Sequence, residues 1–293
     1  MPNLKEVRNR ITSVGSTMQI TSAMKMVSAA KLKRAQDAIT QMRPYAEKLK
    51  EIMANVSGSD SSENAYSRNS GGKNILIIPV SSNRGLAGAF NANIVKRTWS
   101  LIRIEYTGYN VTVLPVGKKA MDAFRRTDYF ISGQDLPHNL SELFDGLSFA
   151  KTAPVAEKIM EAFANKQFDK VIIVYNQFKN AAVQIVQAEQ LLPIVPPAVE
   201  ANAKATTTDY IYEPGKEEIV KDLIPRAIKT QFHKALLDSV ASEHGARMTA
   251  MHKATDNAKE LLKHLKISYN KARQAAITND ILEIVGGAEA LNG

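Results

Sequence analysis

The start of the chain carries one long apolar seam. Alternate steps of three and four residues from Leu4 meet apolar side chains over about seven heptads, and only Thr21, Lys25 and Ser28 interrupt them. A repeat of about 3.5 residues is typical of a coiled-coil helix. Small residues surround the polar positions, so another backbone or protein surface can approach closely there. We predict one helix over residues 1–56, about 80 Å long at about 1.5 Å per residue.

A second seam with the same repeat occupies the C-terminal part of the chain. It predicts a helix from residue 215 to about Val285, with interruptions at Pro225 and Gly245. Because a compact domain separates the two seams and returns the chain to its start, the helices are predicted to pair as an antiparallel coiled coil. They differ in length, so one end projects as a single helix. The seam residues are Leu237, Ala241, His244, Met248, Met251, Thr255, Ala258, Leu262, Leu265, Tyr269, Ala272 and Ala276.

The middle of the chain alternates between apolar runs and helical patterns. The runs "NILIIPV", "NVTVLPVG" and "KVIIVYNQF" are typical of strands, and helices are predicted over 89–106, 118–126 and about 149–165. This alternation predicts a mostly parallel sheet, and the later stretches "AAVQIVQAEQLLPI" and "TTTDYIYEP" predict a hairpin-like edge. The predicted domains are an N-terminal helix over 1–56, a linker over 57–72, an α/β domain over 73–214 and a C-terminal helix over 215–293 that forms one discontinuous coiled-coil domain with the first.

A glycine-containing loop, "SSNRGLAGAFN" (81–91), follows the first strand and raises the possibility of a phosphate cradle. A dinucleotide site needs GxGxxG and a P-loop needs GxxxxGK followed by Ser or Thr. Gly85 and Gly88 supply only GxxG. A tight strand-to-helix turn explains both glycines. A nucleotide-binding α/β enzyme with a coiled-coil extension therefore stays as an alternative function, with little support.

The net charge of +9 is concentrated at the N-terminus. Residues 1–50 carry +7, residues 51–214 carry 0 and residues 215–293 carry +2. A basic helix suits an acidic partner, although a solvated helix face explains the charge equally well. A basic coiled coil that grips nucleic acid is a further alternative. Residues 1–43 contain no aromatic side chain, which argues against it and leads us to expect no nucleic-acid partner.

Catalytic and metal-binding patterns are missing from the sequence. The chain has no cysteine, which excludes disulfides and thiolate metal sites, and its five histidines stand in no ligand spacing. No carboxylate pair or nucleophile elbow stands out. We therefore expect no catalytic residue, no metal and no cofactor. No apolar run approaches the about 18 residues of a membrane span, and we expect a soluble protein kept in the cytoplasm.

The end of the C-terminal helix is apolar on every side. A helix of this kind must be enclosed, because exposing so much apolar surface to water is unfavourable. A tail that docks on its own domain is one explanation. An enclosing partner is the explanation we favour, since the coiled coil carries this end away from the core. The apolar residues concerned are Ala275, Ala276, Ile277, Ile281, Leu282, Ile284 and Val285.

Stretches at both ends and in the middle resemble a known family. "ITSAMKMVSAAKLKRAQ" (20–36), the loop "SSNRGLAGAFN" and "DYIYEP" (209–214) are similar to segments of the γ subunits of F-type ATP synthases. "LLDSVASEHGARMTAMHKATDNAKELL" (236–262) and "YNKARQAAITNDILEIVGGAEAL" (269–291) resemble that family's C-terminal helix. The resemblance covers the whole chain in the right order. It implies an antiparallel coiled coil joined to a Rossmann-like α/β domain without a nucleotide site.

The resemblance implies a rotor rather than an enzyme. In this family the coiled coil is the central shaft inside a ring of alternating α and β subunits, and the α/β domain forms a foot against the ε subunit and the membrane c-ring. Proton flow turns the shaft, whose asymmetry cycles the three β sites through their conformations. The family's chain catalyses nothing itself and reaches the membrane only through the complex. The lack of a transit peptide then implies a bacterial source, with the protein peripheral on the cytoplasmic face of the inner membrane.

Site residues are implied position by position. Arg273, Gln274 and Thr278 match the contact with a β-subunit catch loop, and the foot residues that face the c-ring and ε match Tyr210, Tyr212 and Glu213. The apolar bearing matches Ile277, Ile281, Leu282 and Val285, and the contacts with the acidic β levers match Lys31, Lys33, Arg34, Arg84 and Ala87. The sequence departs from the common family pattern at Lys25, Asn83, Ala87 and Asp280. Lys25 stands where the family commonly has a glutamate, which reverses the charge at a point where shaft and ring nearly touch.

Overall fold

The computed structural model describes residues 4–57, 66–68, 71–131, 136–137, 139–194 and 216–292. Two long helices begin and end this described chain, α1 (Leu4–Ser57) and α5 (Lys216–Asn292). The prediction that α5 breaks at Pro225 and Gly245 is wrong. Ile224 and Ile228 are buried on either side of the proline and hold the helix against the core. At Gly245 a Cβ atom would lie 3.2 Å from the Ala181 Cα, so this glycine allows close packing instead of ending the helix.

Four strands form one sheet, β1 (Asn74–Pro79), β2 (Asn110–Val113), β3 (Lys170–Phe178) and β4 (Gln184–Leu192). Their order is β2-β1-β3-β4. The first three strands are parallel, and β4 pairs antiparallel with β3 as the hairpin edge. The predicted mostly parallel sheet with a hairpin-like edge is therefore confirmed. The stretch "TTTDYIYEP" lies outside the described residues.

Helices connect the parallel strands and cover both faces of the sheet. They are α2 (Phe90–Ser100), which continues into a π turn over Leu101–Glu105, α3 (Lys118–Phe124) and α4 (Phe149–Ala164). Alternate residues of β1 enter two apolar clusters. Leu76 and Ile78 pack with α4 and α5, while Ile75 and Ile77 pack with α2 and α3. A strand covered on both faces has a continuous apolar sequence, which is why "NILIIPV" does not alternate.

The chain divides into two compact units. One, the sheet unit, contains the sheet and runs over Ala29–Arg247. The other, the coil unit, combines Met1–Ser28 with Met248–Gly293. This division falls inside both long helices, and the domain bounds drawn from the sequence stay a prediction.

The helices of the coil unit are antiparallel, as the two seams predicted. The Thr21 and Thr255 hydroxyls lie 2.9 Å apart, and the Lys25 Nζ lies 3.5 Å from His252 Nδ1. As the residue number rises along α1, the number of the contacting residue on α5 falls, so the two helices run in opposite directions. Two of the polar positions that interrupt the N-terminal seam thus face polar side chains across the helix pair.

Candidate contact surfaces

Side-chain hydrogen bonds fix the glycine-containing loop after β1. The Asn91 Oδ1 accepts from the Ser82 backbone N–H at 3.0 Å, and the Ser82 Oγ donates to the Arg84 carbonyl at 2.6 Å. Asn83 donates from Nδ2 to the Ser141 carbonyl at 2.8 Å and accepts from the Lys118 N–H at 3.1 Å. The polar side chains at the start of the loop thus bond within the chain itself.

The tip of this loop presents an apolar side chain. Leu86 has a φ of +62° and is 64% exposed. Gly88 also has a positive φ, of +57°, as a tight strand-to-helix turn requires. Ala87, predicted to contact a partner, is only 2% exposed and packs against Phe90 and Ala246. The Ala87 side chain therefore fills a gap against α5, and its contact with a partner stays a prediction. The exposed side chains of the loop are those of Arg84, Leu86 and Ala89.

An arginine of α5 reaches the same loop and was not singled out from the sequence. The Arg247 guanidinium donates to the Arg84 carbonyl at 3.0 Å and to the Gly85 carbonyl at 3.2 Å, and it pairs with the Glu243 carboxylate at 2.6 Å. Burial raises the pKa of Glu243 above its ordinary value, and the charges of Arg247, Lys31 and Arg84 oppose that rise. The sequence shows an arginine four residues after Glu243 in a helical pattern. It does not show the bonds of Arg247 to Arg84 and Gly85, because these residues belong to a loop far away in sequence.

A second titratable group lies beside this pair. Burial, together with the charges of Arg247 and Lys31, lowers the pKa of His244 to about 4. Its imidazole is therefore neutral at pH 7 and adds no positive charge to the group. The basic character here comes from the arginines and Lys31.

Three basic side chains near the middle of α1 are exposed. Lys31, Lys33 and Arg34 all lie on the solvent-accessible surface of the helix. Lys33 pairs with Asp37 at 3.0 Å. The positive charge of Lys31 lowers the pKa of both Glu243 and His244 on α5. Exposed pairs of this type contribute about 0.3–0.5 kcal/mol, so Lys33 can exchange Asp37 for another acidic group at little cost.

The C-terminal end of α5 carries the other predicted contacts. Arg273, Gln274 and Thr278 are exposed, and the Thr278 hydroxyl donates to the Gln274 carbonyl of its own helix at 2.9 Å. The side chains of Arg273 and Gln274 are exposed and can contact a partner. Five large apolar side chains are at least half exposed, namely Ile277, Ile281, Leu282, Ile284 and Val285.

The predicted foot residues Tyr210, Tyr212 and Glu213 lie outside the described residues. A cavity of about 530 Å³ lies near Ile75 and Lys170, at the amino ends of β1 and β3. Nucleotide sites of open α/β sheets lie at the opposite, carboxyl ends of the strands. In the described part of the chain, no cluster of three or more His, Cys, Asp or Glu residues could hold a metal ion. Within the same residues, no helix is long and apolar enough to cross a membrane.

Comparison with known proteins gives full-length matches. A family model described as ATP synthase matches residues 3–291. The ATP synthase gamma chains of Christiangramia forsetii and Flavobacterium johnsoniae are 57% and 58% identical over 295 aligned positions, covering 100% of both chains in each case. A chain in the cryo-EM structure of the Euglena gracilis mitochondrial ATP synthase has the same fold, with a TM-score of 0.69 and 22% identity over 98% of this chain and 94% of that one.

The family match and the relatives' alignments span almost the whole sequence. The chain belongs to the ATP synthase gamma chain family.

Proposed function

We propose that this chain is the central rotary shaft of an F-type ATP synthase, which couples proton translocation through the membrane rotor to ATP synthesis and hydrolysis at the β subunits. The observation that carries the proposal is the end of α5. Every residue over 277–288 is exposed, although this stretch includes Ile277, Ile281 and Leu282. Such a surface requires an enclosing sleeve, and a ring of α and β subunits would supply one.

The paired helices suit the transmission of torque. In the coil unit, two antiparallel helices contact each other through both apolar and polar seam residues, with Met251, Thr255 and Ala258 buried on α5. A pair of helices resists bending and twisting better than one helix does, because each seam contact must be broken to deform it. When the shaft turns, it offers different contacts to each β subunit, and each rotor angle favours a different site conformation.

The contacts with the ring follow the chemistry of the exposed residues. Arg273, Gln274 and Thr278 would bond polar groups of a β-subunit catch loop. The apolar bearing would consist of Ile277, Ile281, Leu282 and Val285. Lys31, Lys33, Arg34 and Arg84 would face acidic levers of the β subunits, where unlike charges attract most strongly when partly shielded from water.

The remaining partners would be the ε subunit and the c-ring, at a foot that includes Tyr210, Tyr212 and Glu213. The chain would lie on the cytoplasmic face of a bacterial inner membrane as a peripheral protein, held there only through the complex. The chain itself would catalyse no reaction, since ATP is made and hydrolysed at the β subunits.

Reconstitution tests this proposal directly. The α and β subunits of the same organism would be mixed with and without this chain, and ATP hydrolysis measured, while nucleotide binding to the chain alone is titrated in parallel. We expect a stable active complex only when the chain is present, and no nucleotide binding by the chain itself. Binding of nucleotide to the chain alone, with α and β unchanged, would support the α/β enzyme alternative.

A matched pair of variants locates the sleeve contact. Ile281→Ser removes an apolar side chain from the end of α5, and Ile104→Ser removes one that is 75% exposed in the sheet unit. We expect the first to weaken assembly at least tenfold, which corresponds to about 1.4 kcal/mol. The second should leave assembly unchanged. Equal effects of the two changes would argue against a sleeve around the end of α5.

A further inference from the structure

The Arg247 side chain is buried and uses all three of its nitrogens. The residue is 7% exposed, and its Nη1 pairs with the Glu243 Oε1 at 2.6 Å. Its Nη2 donates to the carbonyls of Arg84 and Gly85 at 3.0 and 3.2 Å, and its Nε donates to the Gly85 carbonyl at 3.3 Å. One guanidinium thus holds two consecutive carbonyls of a loop from a distant part of the sequence.

Those two carbonyls come directly before a strained residue. Leu86 adopts a φ of +62°, in the left-handed region that favours glycine, and its side chain is 64% exposed. The next residue, Ala87, returns to the interior against Phe90 and Ala246. A residue other than glycine keeps this conformation only where its surroundings fix it. Arg247 on one side and the buried Ala87 on the other provide that constraint.

We propose that Arg247 is the positioning residue of the contact loop, defined as residues 83–88, and that it holds Leu86 outward as an apolar projection toward a subunit of the ring. The inference deepens the proposed function and rests on it, because it requires the contact loop to touch the ring. Leu86 supplies the contact, and Arg247 acts through Leu86 without touching the partner.

Lysine could not replace Arg247 in this role. A guanidinium is a planar fork that donates in several fixed directions, whereas an ammonium is a point charge on a flexible stem. Here the fork meets two carbonyls on one side and Glu243 on the other. The pairing with Glu243 neutralises the buried charge, which a buried ion needs. The charges of Lys31, on α1, and of Arg84, within the contact loop, also act on Glu243, and both side chains are exposed.

Limited proteolysis of the full-length chain tests the positioning itself. Trypsin cleaves after Arg84 only when the contact loop opens, and cleavage after the exposed Arg103 in the same digest serves as an internal reference. For Arg247→Lys we expect cleavage after Arg84 to become at least tenfold faster relative to that reference. Arg226→Lys, a matched change at an exposed arginine of the same helix, should leave the ratio unchanged. An unchanged ratio in Arg247→Lys would overturn the proposal.

Turnover of the complex reconstituted with α and β tests the consequence. We expect Arg247→Lys to lower ATP turnover at saturating ATP at least threefold, with an unchanged amount of chain in the complex. Leu86→Ala should lower turnover similarly without faster cleavage after Arg84, because it removes the projection and leaves the loop held. Should Arg247→Lys yield too little folded chain, Glu243→Ala removes the counter-ion of the guanidinium and is measured in the same way, with the same expectations.

The outcomes separate this inference from the proposed function. If the wild-type chain supports turnover and neither Arg247→Lys nor Leu86→Ala lowers it, the loop is not a ring contact and the inference is wrong, while the shaft role stands. If Arg247→Lys lowers turnover but Leu86→Ala does not, Arg247 does not act through Leu86, and the inference is again wrong. If the wild-type chain forms no active complex, the proposed function fails and the inference fails with it.

Discussion

Strand β1 and the end of α5 are both rich in isoleucine, leucine and valine, yet their surroundings differ completely. Ile75, Leu76, Ile77 and Ile78 are at most 1% exposed, because helices cover both faces of the sheet. Residues 277–288 are all exposed. Burial of apolar surface contributes about 25 cal/mol per Å², so the sheet already gains this energy within the chain. The end of α5 can gain it only from a partner.

The comparison shows how stability and function are separated along this molecule. The sheet unit holds itself together, and substitutions in its core should be measurable in the chain alone. The end of α5 contributes little to the chain's own fold. Substitutions there should leave the stability of the isolated chain unchanged and take effect only when the partner subunits are present.

The largest effect is expected in the core of the sheet unit. Phe163 is fully buried on α4, and Phe163→Ala should lower the free energy of unfolding by about 3–5 kcal/mol, from lost burial and the cavity that remains. Phe149→Ala, at the exposed start of the same helix, should cost about 1 kcal/mol or less. Urea unfolding of the isolated chain measures both. Similar losses at the two positions would show that α4 is not packed as described.

A buried carboxyl of the sheet unit should make stability depend on pH. Burial raises the pKa of Asp238 to about 6, against the opposing charges of Lys234 and Arg43, and with a further rise from Glu189. Because the folded-state pKa lies above the ordinary value of 3.8, the folded chain binds the proton more tightly than the unfolded chain does. Its contribution to stability is therefore fully present below about pH 4 and lost as the pH rises through about 6.

Asp238→Asn isolates that contribution. The variant should lack this part of the pH dependence and be more stable than the wild type above pH 7, by about 3 kcal/mol at most. Unfolding would be measured from pH 4 to pH 8 for both chains, with Asp145→Asn, an exposed aspartate, as the control. Parallel curves for the wild type and Asp238→Asn would contradict the assignment.

A smaller effect is expected in the coil unit. Thr255→Val removes the hydroxyl that bonds the Thr21 hydroxyl across the helix pair, while keeping the side-chain volume. Because Thr21 can still donate to the Met18 carbonyl at 3.0 Å, the loss should be only about 0.5–1 kcal/mol. Thermal unfolding measures it, with Thr17→Val at an exposed position of α1 as the control. A loss above about 2 kcal/mol would mean that the polar contact matters more than the apolar seam.

The smallest effect on the chain alone is expected at the end of α5. Ile281→Ser should change the free energy of unfolding by no more than about 0.5 kcal/mol, because Ile281 is 55% exposed and has little burial to lose. The same urea titration used for Phe163→Ala measures it. A loss of several kcal/mol would show that this end docks within the chain itself, the alternative left open from the sequence.

Periodicity along the chain was enough to predict much of the fold. The two seams predicted two long helices, since a 3.5-residue repeat depends only on local order, and the compact domain between the seams predicted their antiparallel pairing. The apolar runs predicted a mostly parallel sheet. The continuity of α5 through Pro225 and Gly245 could not be predicted. It depends on burial of Ile224 and Ile228 and on the approach of Ala181, and both arise from tertiary packing that overrides local propensity.

The contact residues were less predictable than the fold. Exposed lysines of α1 and apolar residues of α5 could be chosen from composition and from the family resemblance. The burial of Ala87 and the contacts of Arg247 could not, because they arise where α5 meets a loop far away in sequence. Residue type alone indicates which groups a loop contains, and only the fold determines which of them face outward.

Rotation of this chain inside the ring would show directly whether it acts as a shaft. Because the chain has no cysteine, Ile104→Cys provides a single attachment point for a bead on the sheet unit. With the α and β subunits fixed to a surface, the shaft account predicts stepwise rotation in one direction when ATP is added. Sustained ATP hydrolysis by the complex with a bead that does not rotate would contradict it.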